Sequence, residues 1–286
     1  MNQSTSKQLK LFAAKMRRWI IEGVYQAKSG HPGGSLSCTD IMAYLYCEQM
    51  NINPENPTWE DRDRFVLSKG HCAPALYAAL GLRGFFDIEE LSSLRKYGAM
   101  LQGHPCLGKT PGVDMSTGSL GQGISAATGM ALAGKVDGKK YRVYSILGDG
   151  EMQEGQVWEA LMCAAHYKLS NLCAILDYNG LQIDGKTSEV MDLGDIEAKV
   201  KAFGWNTVVI DGHDFEEIGQ AMMLFEQRSR EEEKPFFIIA KTHKGMGVSY
   251  MYDNAGWHGN APKDEQYDVA VSELDAEIAK LEALEV

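Results

Sequence analysis

A chain of 286 residues and 31.6 kDa can bury a substantial core, as one large α/β domain or two small ones, without a disulfide staple. Its 28 Lys plus Arg stand against 39 Asp plus Glu, a formal net charge of −11, so it lacks the clustered positive surface that general binding to DNA or RNA requires. Six scattered cysteines with no C-x-x-C pair, a polar start from Met1 to Lys10 and no run near the roughly 18 apolar residues of a membrane span fit a reduced cytoplasmic protein with no membrane partner.

In chain order, Leu9, Phe12, Ala13, Met16, Trp19, Ile20 and Val24 recur at spacings of three and four, which predicts an amphipathic helix over residues 6–28, stopped by Ser29-Gly30-His31-Pro32-Gly33-Gly34. Helical patterns also fit 38–50, 74–82 and 123–133, giving a helix-rich first part to about residue 135 with loops at 29–36, 51–62, 68–72 and 102–119. Beyond residue 140 the style changes. Short apolar runs at 141–147, 172–176, 207–210 and 236–240 alternate with helical segments at 156–167, 196–203 and 215–228. Alternating β and α units of this length predict an α/β fold with a parallel sheet flanked by helices on both faces. In such sheets ligands sit beyond the carboxyl ends of the strands. A charged amphipathic tail, predicted as a helix over about 264–285, either closes the fold or contacts another chain.

The strongest chemical signal is Leu147-Gly148-Asp149-Gly150-Glu151 at the end of one predicted strand, with Asp177-Tyr178-Asn179-Gly180 at the end of the next. Asp149 offers a carboxylate, Asn179 an amide oxygen, and a backbone carbonyl just beyond could complete a set of hard oxygens of the kind Mg²⁺ shares with phosphates. Gly148 and Gly150 let a diphosphate approach the backbone, and the helix starting near Glu154 aims its free N–H groups at the same place. Each string alone is an ordinary turn; the pairing after successive strands favours the metal–diphosphate reading. A second glycine-rich stretch, 116–123, includes Gly121-Gln122-Gly123-Ile124-Ser125-Ala126, which matches a dinucleotide fingerprint but has no strand before it. We therefore read it as a loop against a flat or anionic ligand. Four of the seven histidines, His31, His71, His104 and His258, sit beside glycine or proline in loops, a setting that suits neutral imidazoles gathered for acid–base work. They lack the close spacing of zinc motifs. His166, His213 and His243 read as structural.

The strings Ser29 to Gly34, Asp63-Arg64-Phe65-Val66-Leu67-Ser68-Lys69-Gly70-His71, Gly103-His104-Pro105, Thr117 to Gly123, Gly148 to Glu151, Asp177-Tyr178-Asn179, Lys241-Thr242-His243-Lys244-Gly245 and Trp257-His258-Gly259 closely resemble transketolase, in the family's order, over about residues 5–262. The resemblance implies the thiamine diphosphate-binding (PP-type) fold as a single domain over 1–286. It implies thiamine diphosphate with Mg²⁺, for which Ca²⁺ or Mn²⁺ could substitute, and metal ligation by Asp149, Asn179 and the carbonyl of Leu181. Cofactor contacts would come from His71, Gly118, Ser119, Leu120, Gly148, Gly150, Asn179, Lys244 and His258, and His31, His104 and His258 would face the reacting sugar as catalytic groups. The Tyr178-Asn179 end of the thiamine motif leaves the metal ligand intact. Gly33-Gly34 stands at a site that varies in the family, and its lack of side chains is expected to loosen cofactor or donor contacts.

A full transketolase is roughly twice this length, and its second domain binds the aminopyrimidine and supplies the activating glutamate. The resemblance therefore implies the N-terminal, diphosphate-binding subunit of a split transketolase. Its partners would be a C-terminal subunit on a separate chain, a second copy of itself in a heterotetramer, and sugar substrates of pentose phosphate metabolism. The implied reaction moves a two-carbon ketol unit from a ketose, phosphate-bearing by expectation, to an aldose. The alternatives are a 2-oxo-acid dehydrogenase α-type subunit or a deoxyxylulose-phosphate synthase-like chain, against which the His31, His71 and His104 blocks argue, and a non-catalytic cofactor-binding scaffold.

Overall fold

The computed structural model describes residues 3–284, so residues 1–2 and 285–286 of the expected domain, including the last residue of the expected tail helix, lie outside it. Helix α1 (Gln3–Ala27) is followed by two short helices, α2 (Pro32–Ser37) and α3 (Thr39–Tyr44), then strand β1 (Arg64–Leu67) and helices α4 (Ala73–Leu82) and α5 (Gln122–Val136). The alternating half contains β2 (Val143–Gly148), α6 (Gly155–His166), β3 (Leu172–Tyr178), a small hairpin of β4 (Leu181–Gln182) and β5 (Gly185–Lys186), α7 (Thr187–Val190) and α8 (Ile196–Ala202). Strand β6 (Asn206–Asp211), α9 (Phe215–Glu231), β7 (Phe236–Lys241) and α10 (Asp264–Ala283) complete it.

The main sheet has the order β1-β2-β3-β7-β6, and every pairing is parallel. Its strands carry side chains alternately to two apolar layers. Tyr144, Ile146, Cys173, Ile175, Phe236 and Ile238 pack with α1, α3, α4 and α9. Val143, Leu147, Leu172, Leu176, Phe237 and Ile239 pack with α5, α6 and α8 on the opposite face. Burial on both faces explains why these strands read as continuous apolar runs, and each buried aliphatic or aromatic side chain contributes about 1.5–3 kcal/mol. The tail is a closing helix: α10 buries Ala270, Leu274 and Leu281, and its Tyr267 stacks on Tyr25 of α1 with ring centroids 3.8 Å apart. Among the described residues no helix is long and apolar enough to cross a membrane.

Three local expectations are corrected. The helix predicted over 38–50 ends as a regular α-helix at Tyr44 and continues as a wider π turn, Leu45–Gln49. Strand β1 lies in the part read as helices and loops; four residues are too few to show a period. The loop predicted at 29–36 contains α2, whose Pro32 at the first turn fixes a helical φ. All six α2 residues are buried. A Cβ added at Gly33 would stand 2.7 Å from the Trp257 carbonyl oxygen, and one at Gly34 would stand 2.8 Å from Cys72 Sγ. The glycine pair is thus a condition of close packing at this point of the fold.

Candidate active site

Parallel register decides which residues meet. Leu67 pairs with Ile146, Gly148 with Asp177, and Asp177 with Ala240. The segments that leave β1, β2, β3 and β7 therefore emerge at one carboxyl edge, bringing together Ser68 to His71, Asp149 to Glu151, Asn179 to Leu181, and Thr242 to Lys244. They line a cavity of about 360 Å³ together with His31, Gly118, Leu120, Gly148, Gln182 and His258. That volume falls at the small end of the usual range for ligand pockets.

Beneath the cavity, fully buried Asp177 is a hub. It accepts hydrogen bonds from Lys69 Nζ, Ser37 Oγ and Thr242 Oγ1, each at 2.5 Å, and from Asn179 Nδ2 at 3.2 Å. The last bond fixes the Asn179 amide, whose oxygen accepts the Leu181 N–H at 3.1 Å. Burial opposes the Lys69 charge, but Asp177 at its head holds the ammonium well above its ordinary value. Lys69→Met leaves a buried carboxylate uncompensated and is expected to cost about 3–5 kcal/mol, read as a lowered denaturant midpoint. An unchanged midpoint would refute the hub. Glu151, also buried, ties three segments together: Oε1 accepts from Ser68 Oγ and the Gly121 N–H, and Oε2 from the Gly148 N–H. Neither Lys69, Asp177 nor Glu151 was assigned a role from sequence, although all three stand inside the motifs.

Asp149 is 2 % exposed, with Oδ1 accepting from the Gly150 N–H (2.8 Å) and Oδ2 from the Gly180 N–H (2.6 Å). Burial and the nearby Asp177 raise its pKa to about 6. Leu181 O already accepts a cationic donor, Lys244 Nζ at 3.1 Å, which also lies 3.1 Å from His258 Nδ1. Carboxylate, amide and carbonyl oxygens each retain a lone pair, so the set fits a hard divalent cation completed by ligand oxygens. Among the described residues no three His, Cys, Asp or Glu side chains gather as a metal site, so the cation would depend on this mixed set. Helix α6 begins beside it with no side-chain cap, leaving N–H groups for an anion.

Four imidazoles converge above this floor, with the His31 ring centroid 5.1 Å from His71, 5.4 Å from His258 and 6.4 Å from His104. Burial and the neighbouring His71, Arg95 and His104 lower His31 to about 4, and burial with Lys244 lowers His258 to about 3. Burial and Arg95 also lower His104. Arg95 Nη2 lies 3.5 Å from His31 Nδ1, and because a guanidinium can only donate, this placement favours the tautomer with the proton on Nε2. His104 and Ser119 do not line the cavity. His104 stands behind Gly118, where an added Cβ would come within 3.0 Å of its ring, and Ser119 is exposed at the rim. The loop before α5 contains no strand, as expected for 111–117.

Comparison with known proteins places this arrangement. The family described as "Transketolase, thiamine diphosphate binding domain" matches residues 9–280. One subunit of the apulose-4-phosphate transketolase of Phocaeicola vulgatus is 44 % identical over 274 residues, 96 % of each chain. The 6-deoxy-6-sulfo-D-fructose transketolase subunit SqwG of a Clostridium species is 47 % identical over 262 residues, covering 92 % of this chain and 94 % of its own. Among solved structures, transketolase from Campylobacter jejuni superposes with a TM-score of 0.85 at 31 % identity over 99 % of this chain but only 48 % of its own, so this chain spans about half of that protein. The α/β fold with its five-stranded parallel sheet and the matched span together make this chain a member of the transketolase family, as its thiamine diphosphate-binding domain.

Proposed function

We propose that this chain, read as one domain, is the diphosphate-binding subunit of a two-chain transketolase that works in the cytoplasm. It would transfer a two-carbon ketol unit from a ketose, phosphorylated in our reading, to an aldose, using Mg²⁺ and thiamine diphosphate. The observation that carries the reading is the meeting, at one sheet edge, of an Asp149–Asn179–Leu181 oxygen set with the imidazoles of His31, His71 and His258. The two relatives of matching length are named as subunits, of enzymes named for different sugars, which supports a separate partner chain.

In this reading Asp149, Asn179 and the Leu181 carbonyl hold the metal. Gly148, Gly150, His71 and Lys244 hold the diphosphate, and Gly118, Ser119 and Leu120 lie along the cofactor's middle, with Ser119 reaching it from the rim. When bound, thiamine diphosphate supplies the electron sink that lets a carbon–carbon bond beside a ketose carbonyl break and re-form. The protein's own part is to place the sugar, exclude water and move protons. His31, with Nε2–H directed by Arg95, donates to a developing oxyanion. His258 contacts the cofactor and shares with His104 the proton traffic of the sugar's hydroxyl groups.

His31→Ala and His258→Ala are expected to lower kcat by about 10²–10⁴-fold while changing the thiamine diphosphate Kd only a few-fold. A change confined to Kd would make them binding residues. Because both folded values lie below the ordinary 6.5, these two histidines leave turnover level as pH falls through 6.5 at saturating Mg²⁺, and their own acid limb appears only near the folded values. Over that same window the unfolded chain binds more protons than the folded one, so stability falls as the pH drops from 6.5 toward about 4. Arg95→Met removes a cation that lowers His31 and should move the acid limb upward.

A further inference from the structure

We propose that His213, read from sequence as structural, is a positioning residue for the segment that presents Lys244 to the cofactor; the inference rests on the thiamine diphosphate reading. His213 lies between β6 and α9, outside the cavity lining, with a side chain only 9 % exposed. Nδ1 is 2.7 Å from Asp40 Oδ2 of α3, and Nε2 accepts the backbone N–H of His243 at 2.9 Å. An amide N–H can only donate, so Nε2 carries the lone pair and the ring proton sits on Nδ1, donated to Asp40. Asp40 is paired in turn with Arg17 of α1. The Arg17 stem runs beneath Gly247, where an added Cβ would stand 2.7 Å from Arg17 Cδ. One continuous chain of contacts from α1 through α3 thus holds residues 243 and 247, on either side of Lys244.

The residue after His243 is the buried lysine whose Nζ reaches both Leu181 O and His258 Nδ1. Its carbonyl is held from the other side by the Asp253 N–H at 2.8 Å. Asp253 also pairs with the His243 ring, which stacks between His213 (5.7 Å, 11°) and Tyr252 (4.7 Å, 23°). The charged and titratable groups around His213 are therefore Asp40, Arg17, His243, Asp253, Tyr252 and Asp211, whose Oδ1 accepts the His213 N–H at 2.8 Å.

Two substitutions separate the link from mere packing. His213→Asn keeps a donor for Asp40 but offers nothing at the Nε2 position, whereas His213→Gln places an amide oxygen near it. Thiamine diphosphate with Mg²⁺ is titrated by calorimetry into this chain and both variants, alone and paired with the partner subunit, with melting temperatures measured alongside. Loss of one buried hydrogen bond predicts a Kd weakened roughly 3- to 10-fold in His213→Asn, largely restored in His213→Gln. Once the partner subunit is added, kcat at saturating cofactor should be unchanged. Equal binding by His213→Asn and the unaltered chain would overturn the proposal. So would equal weakening in both variants, or a loss of affinity that merely follows the melting temperature. Failure of the unaltered chain to bind thiamine diphosphate even with the partner subunit present would overturn the cofactor reading and this inference with it.

Discussion

Replacing Asp149 by alanine is expected to abolish Mg²⁺-dependent binding of thiamine diphosphate while leaving the chain folded. The carboxylate is the one anionic ligand in the proposed set, so its loss leaves the cation held by two neutral oxygens and the diphosphate poorly neutralised. We expect affinity to fall by at least about 10²-fold, which corresponds to about 2.7 kcal/mol. The fold should survive because two effects oppose each other. The Gly150 and Gly180 N–H groups lose their acceptor, at about 1–3 kcal/mol for each that finds no water. Against that, the folded state raises the Asp149 pKa from 3.8 to about 6. A group raised in this way favours folding below its unfolded value and opposes folding once the pH passes about 6, so at pH 7 the bare charge is a burden that alanine removes. Calorimetric titration at limiting Mg²⁺, with a melting curve of the same sample, tests both halves. Binding close to that of the unaltered chain would refute the metal assignment.

Much of the scaffold was legible because parallel strands buried on both faces must be apolar along their whole length. The runs at 172–176 and 236–240 fall within β3 and β7, each of which extends beyond the predicted end to deliver polar residues at the sheet edge. Strand β1 was hidden by its length of four residues, and α2 by a Pro-Gly-Gly string that reads as a turn until its surroundings are known. The loop histidines were visible because glycine and proline mark where a chain turns, and the sheet gathers those turns. What could not be read is the layer below. Lys69 meets Asp177 across 108 residues and Ser68 meets Glu151 across 83, separations at which no local pattern survives. The contacts of His213, read from sequence only as structural, are hidden for a related reason: its two partners, Asp40 and the His243 N–H, come from different elements, and one of them is backbone.

Purified by itself and supplied with thiamine diphosphate, Mg²⁺, a ketose and an aldose, this chain is expected to show no ketol transfer, and to gain it when a pyrimidine-binding partner chain is added. The argument lies in the carboxylates around the cavity. Asp149 is engaged by two backbone N–H groups and assigned to the metal, and Glu151 is locked by Ser68, Gly121 and Gly148. Glu154 and Asp184 are exposed to water at the rim. Among the described residues none is therefore placed to activate the cofactor, which is what the two-chain reading expects. Apolar side chains also stand exposed on this side of the chain: Leu120 and Ile183, which line the cavity, and Val190 and Met191, at and just past the end of α7, are 36 %, 68 %, 40 % and 60 % exposed. Obligate complexes cover such surfaces over more than about 2,000 Å². Light scattering should accordingly find the isolated chain as a homodimer or aggregate and the co-expressed pair as a heterotetramer. Ile183→Asp, at the mouth but in no proposed ligand set, should weaken the pairing more than it weakens thiamine diphosphate binding. Turnover by the isolated chain at a rate close to that of the pair would refute the two-chain reading and send the search for the activating acid back to Glu154 and Asp184.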